Sequence, residues 1–427
     1  MVVLNFEASF GKAPAPFKIK VDPEFIALTK QKVSLTRMVE DVEQPDYSDG
    51  PPIHIASSVK DYWAREYDWA SVQDRLNSEL SQFTTTVELP ASSAYKEAVP
   101  LHFVHHTSSR SDAIPLLFIH GWPGSFLEVQ NIIKELTNPS QANAQAFHIV
   151  APSVPGYGFS PAPTRPGFGY IESAHAFDAL MQQLNYSKYV IQAGDLGALI
   201  LRHQAYLYPD SVISCLSNFW PVPPNASDLE RYRDNKTTAD ETATIENYQR
   251  FTQNSWSYAQ VQQQRPLRLG FGLTDSPIGL AMWIYEAMGR SVADPSFWST
   301  EDIITWTMMH WILGPYGATR IYKEAAKVVT AQTHPKQSGS LTLNGIGDYP
   351  YVKQPVAISE FPRDIWYKTP LDWAQRLGNV KVRTVHNTGG HFASTETPSL
   401  LINDIRTFFG ENKEVSGTGV FSENTHT

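Results

Sequence analysis

An apolar run, Val190-Ile191-Gln192-Ala193, breaks into Gly194-Asp195-Leu196-Gly197, and the chain then turns helical from Ala198 to Tyr206. A strand that enters a helix through small–x–acid–x–small must turn sharply, and only small residues fit beside the one at the apex. That apex side chain is left exposed at the end of a strand, the layout of a nucleophile elbow. Serine is the usual occupant and must lose a proton as it attacks. Asp195, with an ordinary pKa of about 3.9, is already an anion at neutral pH. What an attacking carboxylate forms is an ester with an alkyl carbon, so the expected reaction partner carries a strained ring or a good leaving group on carbon. A Gly-Asp-x-Gly tetrapeptide also suits a plain turn. Its surroundings decide.

Upstream, Ile114-Pro115-Leu116-Leu117-Phe118-Ile119 suits a buried parallel strand and empties into His120-Gly121-Trp122-Pro123-Gly124-Ser125. A helical pattern follows at Phe126, Val129, Ile132, Ile133 and Leu136. His148 to Pro152 forms another strand, leading into the glycine-bearing loop Val154 to Ser160, and a helix from Glu172 to Leu184 returns the chain to the elbow strand. Strands separated by helices at this spacing predict a mostly parallel α/β sheet with right-handed crossovers. In such sheets chemistry sits at the carboxyl ends of the strands, where His120, Gly156 and Asp195 all lie. In the α/β-hydrolase fold the loop after the upstream strand supplies one backbone N–H of an oxyanion hole, and the residue after the nucleophile supplies the other. By position these donors are Trp122 and Leu196.

Downstream, Val380 to Val385 alternates like a strand, and Gly389-Gly390-His391-Phe392-Ala393 follows, ahead of a helix with Pro398 near its first turn. The chain order nucleophile, acid, histidine makes His391 the candidate base. His102, His105, His106 and His148 lie in or beside strands without a motif and are expected to be structural. The acid stands after the strand Tyr351 to Ile358, where Glu360 and Asp364 fit equally well from spacing alone.

Taken together these motifs resemble the microsomal-type epoxide hydrolase family, in the form of its soluble fungal members. The similarity lies in His120 to Ser125, in Gly194-Asp195-x-Gly197, and in Arg265-Pro266 with Asp275-Ser276-Pro277-Ile278-Gly279-Leu280. It continues in Tyr322-Lys323-Glu324, Phe361-Pro362-x-Asp364 and Gly389 to Ala393. The motifs occur in the family's order over roughly residues 15 to 410. The resemblance implies an α/β-hydrolase fold with a helical cap and an N-terminal meander, and hydrolysis of an epoxide to a vicinal diol through an ester on Asp195. It implies that the acid is Asp364, since the family's carboxylate directly follows Phe-Pro-x. It also implies two cap tyrosines that donate to the epoxide oxygen, Tyr258 (counting back from Arg265-Pro266) and Tyr322. A role in xenobiotic detoxification goes with the family. Ala193 departs from the glycine common there but is still small. A haloalkane dehalogenase shares the Asp nucleophile, yet it typically relies on tryptophan N–H donors for its halide, and here Leu196 rather than tryptophan follows the nucleophile. A relative that only binds a ligand would have no use for a water-activating pair.

Composition fits a soluble enzyme. The chain has 427 residues, 42% of them hydrophobic, enough for a large core. A net charge of −9 without basic clusters argues against nucleic acid or anionic membrane as partners. Met1 to Gly11 carries neither a charged region nor an apolar stretch long enough for a signal or membrane anchor. Cys215 is the single cysteine, which excludes an intrachain disulfide and favours a reducing, cytoplasmic compartment. No metal-ligand spacing or phosphate-cradling loop occurs, so no cofactor and no metal is expected, and the resemblance implies an apolar epoxide and water as the partners. A second copy of the chain is the macromolecular partner left open. The expected organisation is a meander over 1–95, ahead of the first sheet strand, then the first half of the core over 96–220. A helical cap follows over 221–336, the second half of the core over 337–410, and a disordered tail over 411–427.

Overall fold

The computed structural model describes residues 4–40, 42, 44–294, 296–333 and 349–422, with side chains in the last helical stretch described to residue 326. Among these, nine strands form one sheet in the order β1-β2-β3-β5-β4-β6-β7-β8-β9. They are β1 (Ala15–Phe17), β2 (Gln82–Val87), β3 (Val99–His106), β4 (Ile114–Ile119), β5 (Phe147–Pro152), β6 (Tyr189–Ala193), β7 (Val212–Ser217), β8 (Val352–Glu360) and β9 (Gly378–Val385). From β5 to β9 the neighbours run parallel, and β1, β2 and β3 add an antiparallel edge.

Successive side chains of a strand point to opposite faces, and the central strands are apolar on both. Leu116 and Phe118 of β4 pack into one core with Val190, Leu216 and helix Gln130–Thr137. Leu117 and Ile119 pack into the other with Ile191, Ala193 and helices Tyr170–Gln183 and Asp195–Leu207. A sheet covered by helices on both faces can only expose its chemistry at the strand ends, and that is where the loops after β4, β6, β8 and β9 lie.

Two expected boundaries are corrected. The first 95 residues do not precede the sheet, because β1 and β2 belong to it. Phe17 is buried, and Gln82 to Val87 is buried or half-buried on both faces, so this threonine-rich run is an interior strand. The polar C-terminal segment is not disordered up to residue 422. It forms the turns Lys413–Ser416 and Thr418–Phe421, with Gly417 at φ 74° between them. Its hydroxyls hold it in place: Thr418 Oγ1 donates to the Phe409 carbonyl at 2.6 Å and shares a 2.8 Å hydrogen bond with Ser416 Oγ. Residues 423–427 lie outside the described residues.

Local signals set the other elements. Asp22 caps helix Pro23–Leu35 by accepting from the Glu24 N–H at 2.9 Å, with Pro23 in the first turn. In the segment between β7 and β8, Pro266 and Pro277 open the successive helices Pro266–Asp275 and Pro277–Arg290, and Ser276 caps the second. This segment is helical through Thr333, while its expected end at 336 and the return to the sheet near 345 lie outside the described residues. Among the described residues no helix is long and apolar enough to cross a membrane.

Candidate active site

Asp195 is the first residue of helix Asp195–Leu207 and sits at φ 47°, a left-handed conformation that costs a non-glycine residue energy. The turn is tight enough to admit no side chain at Gly197, where a Cβ would run into the Ile119 and His120 carbonyl groups. Gly121 is confined in the same way, since a Cβ there would overlap the Asp195 carboxylate. The loop after β4 therefore lies directly against the carboxylate. The Trp122 N–H donates to Asp195 Oδ1 at 2.7 Å, and the Trp122–Pro123 peptide is cis. Leu196 is buried as the second residue of the helix, so its N–H is among those left without an intrahelical acceptor.

On the other side of the carboxylate is His391. Its Nε2 is 3.4 Å from Asp195 Oδ2, and its Nδ1 is 2.6 Å from Asp364 Oδ2. Burial disfavours the imidazolium, but the Asp364 charge and the hydrogen bonds to Asp195 and Asp364 overcome it, holding the pKa well above the ordinary histidine value. Asp364 is itself buried, and its Oδ1 accepts from the Trp366 N–H at 3.1 Å. The backbone of His391 is fixed too: its N–H donates to the Ser291 carbonyl at 2.9 Å, and its carbonyl accepts from Asn218 Nδ2 at 3.2 Å. The rings of Phe219 and Phe392 pack edge-on against the imidazole.

The alternative acid is committed elsewhere. Glu360 accepts from Arg383 Nε and Nη2 at 2.9 and 3.0 Å and from the Lys368 N–H at 2.7 Å. Spacing could not separate the two carboxyls because both follow β8. Arg383 on β9 separates them, by drawing Glu360 away from His391.

Tyr258, on helix Ser257–Gln264, stacks on the Trp122 indole at 4.8 Å with an interplanar angle of 17°. Tyr322, on helix Tyr316–Thr333, meets Trp122 edge-on at 6.3 Å and Tyr258 at the same distance. One indole thus gathers two phenols from separate helices. Burial, with Asp195 adding to it, pushes the Tyr258 pKa above its ordinary value, and burial with the surrounding Tyr258 and Asp195 does the same for Tyr322. The Tyr322 hydroxyl is buried without a good hydrogen bond; the Tyr258 hydroxyl stands near it, outside bonding geometry.

The histidines without a motif are tied into the fold by hydrogen bonds, and of the four only His102 is fully buried. His102 bonds Ser153 Oγ and Gln82 Oε1 at 2.9 and 3.0 Å, His105 bonds the Tyr186 hydroxyl, His106 accepts from the Ser81 N–H, and His148 accepts from the Ser108 N–H. His120 accepts from the Val154 N–H on Nε2, leaving Nδ1–H to donate to the Gly121 carbonyl at 3.1 Å. It props the loop rather than facing the carboxylate. Sequence reasoning passed over Glu128, whose carboxyl reaches the same loop at Gly121 and Gly124. An acid among the apolar residues Phe126, Leu127 and Val129 was the available signal. Among the described residues no group of three or more His, Cys, Asp or Glu side chains could hold a metal ion.

Comparison with known proteins adds the following. Residues 14–129 match the family model for the epoxide hydrolase N terminus, and residues 114–235 match that for the alpha/beta hydrolase fold. The chain is 31% identical over 403 residues to a protein of Stigmatella aurantiaca that carries the name epoxide hydrolase, covering 92% of this chain and 84% of that one. The structure of Aspergillus niger epoxide hydrolase superposes with a TM-score of 0.77 at 28% identity, covering 95% of this chain and 98% of that one. Juvenile hormone epoxide hydrolase from the silkworm Bombyx mori gives 0.82 at 25% identity, with 95% and 96% covered.

Proposed function

The chain belongs to the epoxide hydrolase family, and from that premise we propose that it converts an apolar epoxide to a vicinal diol in two half-reactions, through an ester on Asp195. The observation that carries the reading is the division of labour between the two oxygens of that carboxylate. Oδ1 is held by the Trp122 N–H, whereas Oδ2 stands open toward the imidazole. Oδ2 is thus the attacking atom. It forms a bond to an epoxide carbon as the ring C–O bond breaks, and the developing alkoxide takes a proton from Tyr258 or Tyr322. A neutral phenol is suited to this, because it donates without ionising beforehand.

In the second half-reaction a water molecule gives a proton to His391 Nε2 as its oxygen bonds to Asp195 Cγ. Oδ1 becomes the oxyanion without moving, already beside the Trp122 N–H, and the Leu196 N–H, without an intrahelical acceptor, is the second donor available to it. Collapse breaks the bond between Cγ and the alkyl oxygen, the imidazolium gives its proton to the departing alkoxide, and the proton left on the Asp195 carboxyl passes to the tyrosine phenolate, which restores both groups. The charge pattern supports this order. In the free enzyme two carboxylates surround His391 and favour its protonated form. Once Asp195 is an ester, one of those charges is gone, and the imidazole is freer to act as base. Asp364 holds the tautomer and stabilises the imidazolium, as the acid of a Ser-His-Asp triad does.

The test is His391→Gln. That variant should consume about one equivalent of epoxide and stall, with the substrate mass found on the peptide containing Asp195. Normal turnover, or a folded, substrate-binding variant that forms no adduct, would overturn the two-step reading.

A further inference from the structure

We propose that Glu128 holds the hydrolytic water together with His391, as the second polar group facing the Asp195 ester; the proposal rests on the two-step reading above. Glu128 belongs to the short helical turn Phe126–Val129 that follows the Trp122 loop. Its side chain folds back across that loop. Glu128 Oε1 occupies the space that a Cβ on Gly124 would need, and the carboxyl accepts a hydrogen bond from the Gly121 N–H. Gly121 in turn lies against Asp195, so the two carboxyl groups flank a single glycine. The charges of both His391 and Asp195 act on Glu128, so its carboxyl lies within electrostatic reach of the imidazole as well as of the nucleophile.

Burial pushes the Glu128 pKa up to about 8, against the pull of His391 and with the push of Asp195, so the carboxyl keeps its proton at neutral pH. A neutral carboxyl does not repel the anionic nucleophile beside it, and its carbonyl oxygen is still an acceptor. A base alone fixes only one O–H direction of the attacking water. With a second acceptor, one hydrogen points to His391 Nε2 and the other to the Glu128 carbonyl, and a lone pair is left for Asp195 Cγ. The water proton passes to His391 and later to the alkoxide, while Glu128 starts and finishes the cycle protonated.

A purely structural role makes a different forecast. If Glu128 only braced the Gly121 N–H, its loss would loosen the Trp122 donor, which already holds Asp195 Oδ1 before attack, and both half-reactions would slow together. Rapid-quench kinetics of wild type, Glu128→Gln and Glu128→Leu separates the two cases. Ester formation should stay within about twofold of wild type in both variants, while ester hydrolysis in Glu128→Leu falls about tenfold or more. The Asp195 ester should then accumulate during turnover, visible by intact-protein mass spectrometry. Glu128→Gln keeps a carbonyl acceptor and should hydrolyse within about threefold of wild type. Equal slowing of both steps, unchanged hydrolysis in Glu128→Leu, or a glutamine variant as slow as leucine would overturn the proposal. Should leucine prevent folding, Glu128→Met, which keeps an unbranched stem, is read the same way. A wild-type protein that forms no ester would instead overturn the two-step reading, so the two failures are distinguishable.

Discussion

Burial raises the pKa of both Tyr258 and Tyr322, and it leaves the Tyr322 hydroxyl without a partner. A phenol enclosed near an anionic carboxylate resists ionisation, and an unsatisfied buried hydroxyl is costly until a ligand oxygen accepts from it. Tyr258→Phe and Tyr322→Phe should each slow ester formation by about 100-fold, the usual loss when one such donor is removed. The double variant should lose nearly all turnover; single variants at wild-type rates would remove the tyrosines from the mechanism. The pH profile carries the same information. Both pKa values are raised, so the donors stay protonated through the neutral and mildly alkaline range. No alkaline limb from tyrosine ionisation should appear below about pH 10, the ordinary phenol value. Asp195 and His391 were legible as residues because each interrupts a local pattern of strand, glycine and helix. Asp364 was not legible without the family resemblance, since Glu360 satisfies the same spacing and only Arg383, on the neighbouring strand, excludes it.

Among the elements, the elbow is the one whose geometry leaves least room. The neighbours of Gly197 are the Ile119 and His120 carbonyl groups, backbone that cannot rotate away as a side chain could. Gly197→Ala should therefore destabilise the protein by about 1–3 kcal/mol, as overpacking typically does, and displace Asp195 from the Trp122 N–H. A lower melting temperature accompanied by lost turnover in the protein still folded would be the result; an active variant of unchanged stability would show that the turn can relax. Elements with continuous apolar runs, β4 and β6 above all, were legible because burial on both faces leaves a strong signature. The antiparallel edge was not. β1 is three residues long, and the run of threonines in β2 reads as polar although Thr84 and Thr85 are buried there. The tyrosine pair was named only through the family resemblance, because its two members come from separate helices and meet on the Trp122 ring.

For the whole molecule, the buried neutral histidines decide how the fold responds to acid. His102 lies in the core on β3, His120 at the start of the Trp122 loop, and His310 on helix Thr300–Trp311, where its Nε2–H donates to the Pro123 carbonyl at 2.8 Å. Burial is the main cause in each case, lowering their pKa values to about 3, 4 and 4. In the unfolded chain they return to about 6.5. Between those values the unfolded state binds protons that the folded state refuses, so stability is complete above pH 6.5 and falls as the pH falls. His391 has the opposite sign, its raised pKa adding stability below pH 6.5 that is lost as pH rises through the folded value. One such group is outweighed by three. The melting temperature should therefore decline from pH 7 to pH 5, and His102→Gln, which removes one titrating group, should make that decline shallower. A melting temperature that stays flat over this range would show that these histidines are protonated in the folded protein. His310 and His120 brace the Trp122 loop from the cap side and the core side, and with folded pKa values of about 4 they stay neutral in the folded protein between pH 7 and pH 5. The loop should therefore keep its place over that range while the melting temperature falls, and turnover lost ahead of the melting transition would show instead that these two histidines take up protons in the folded protein.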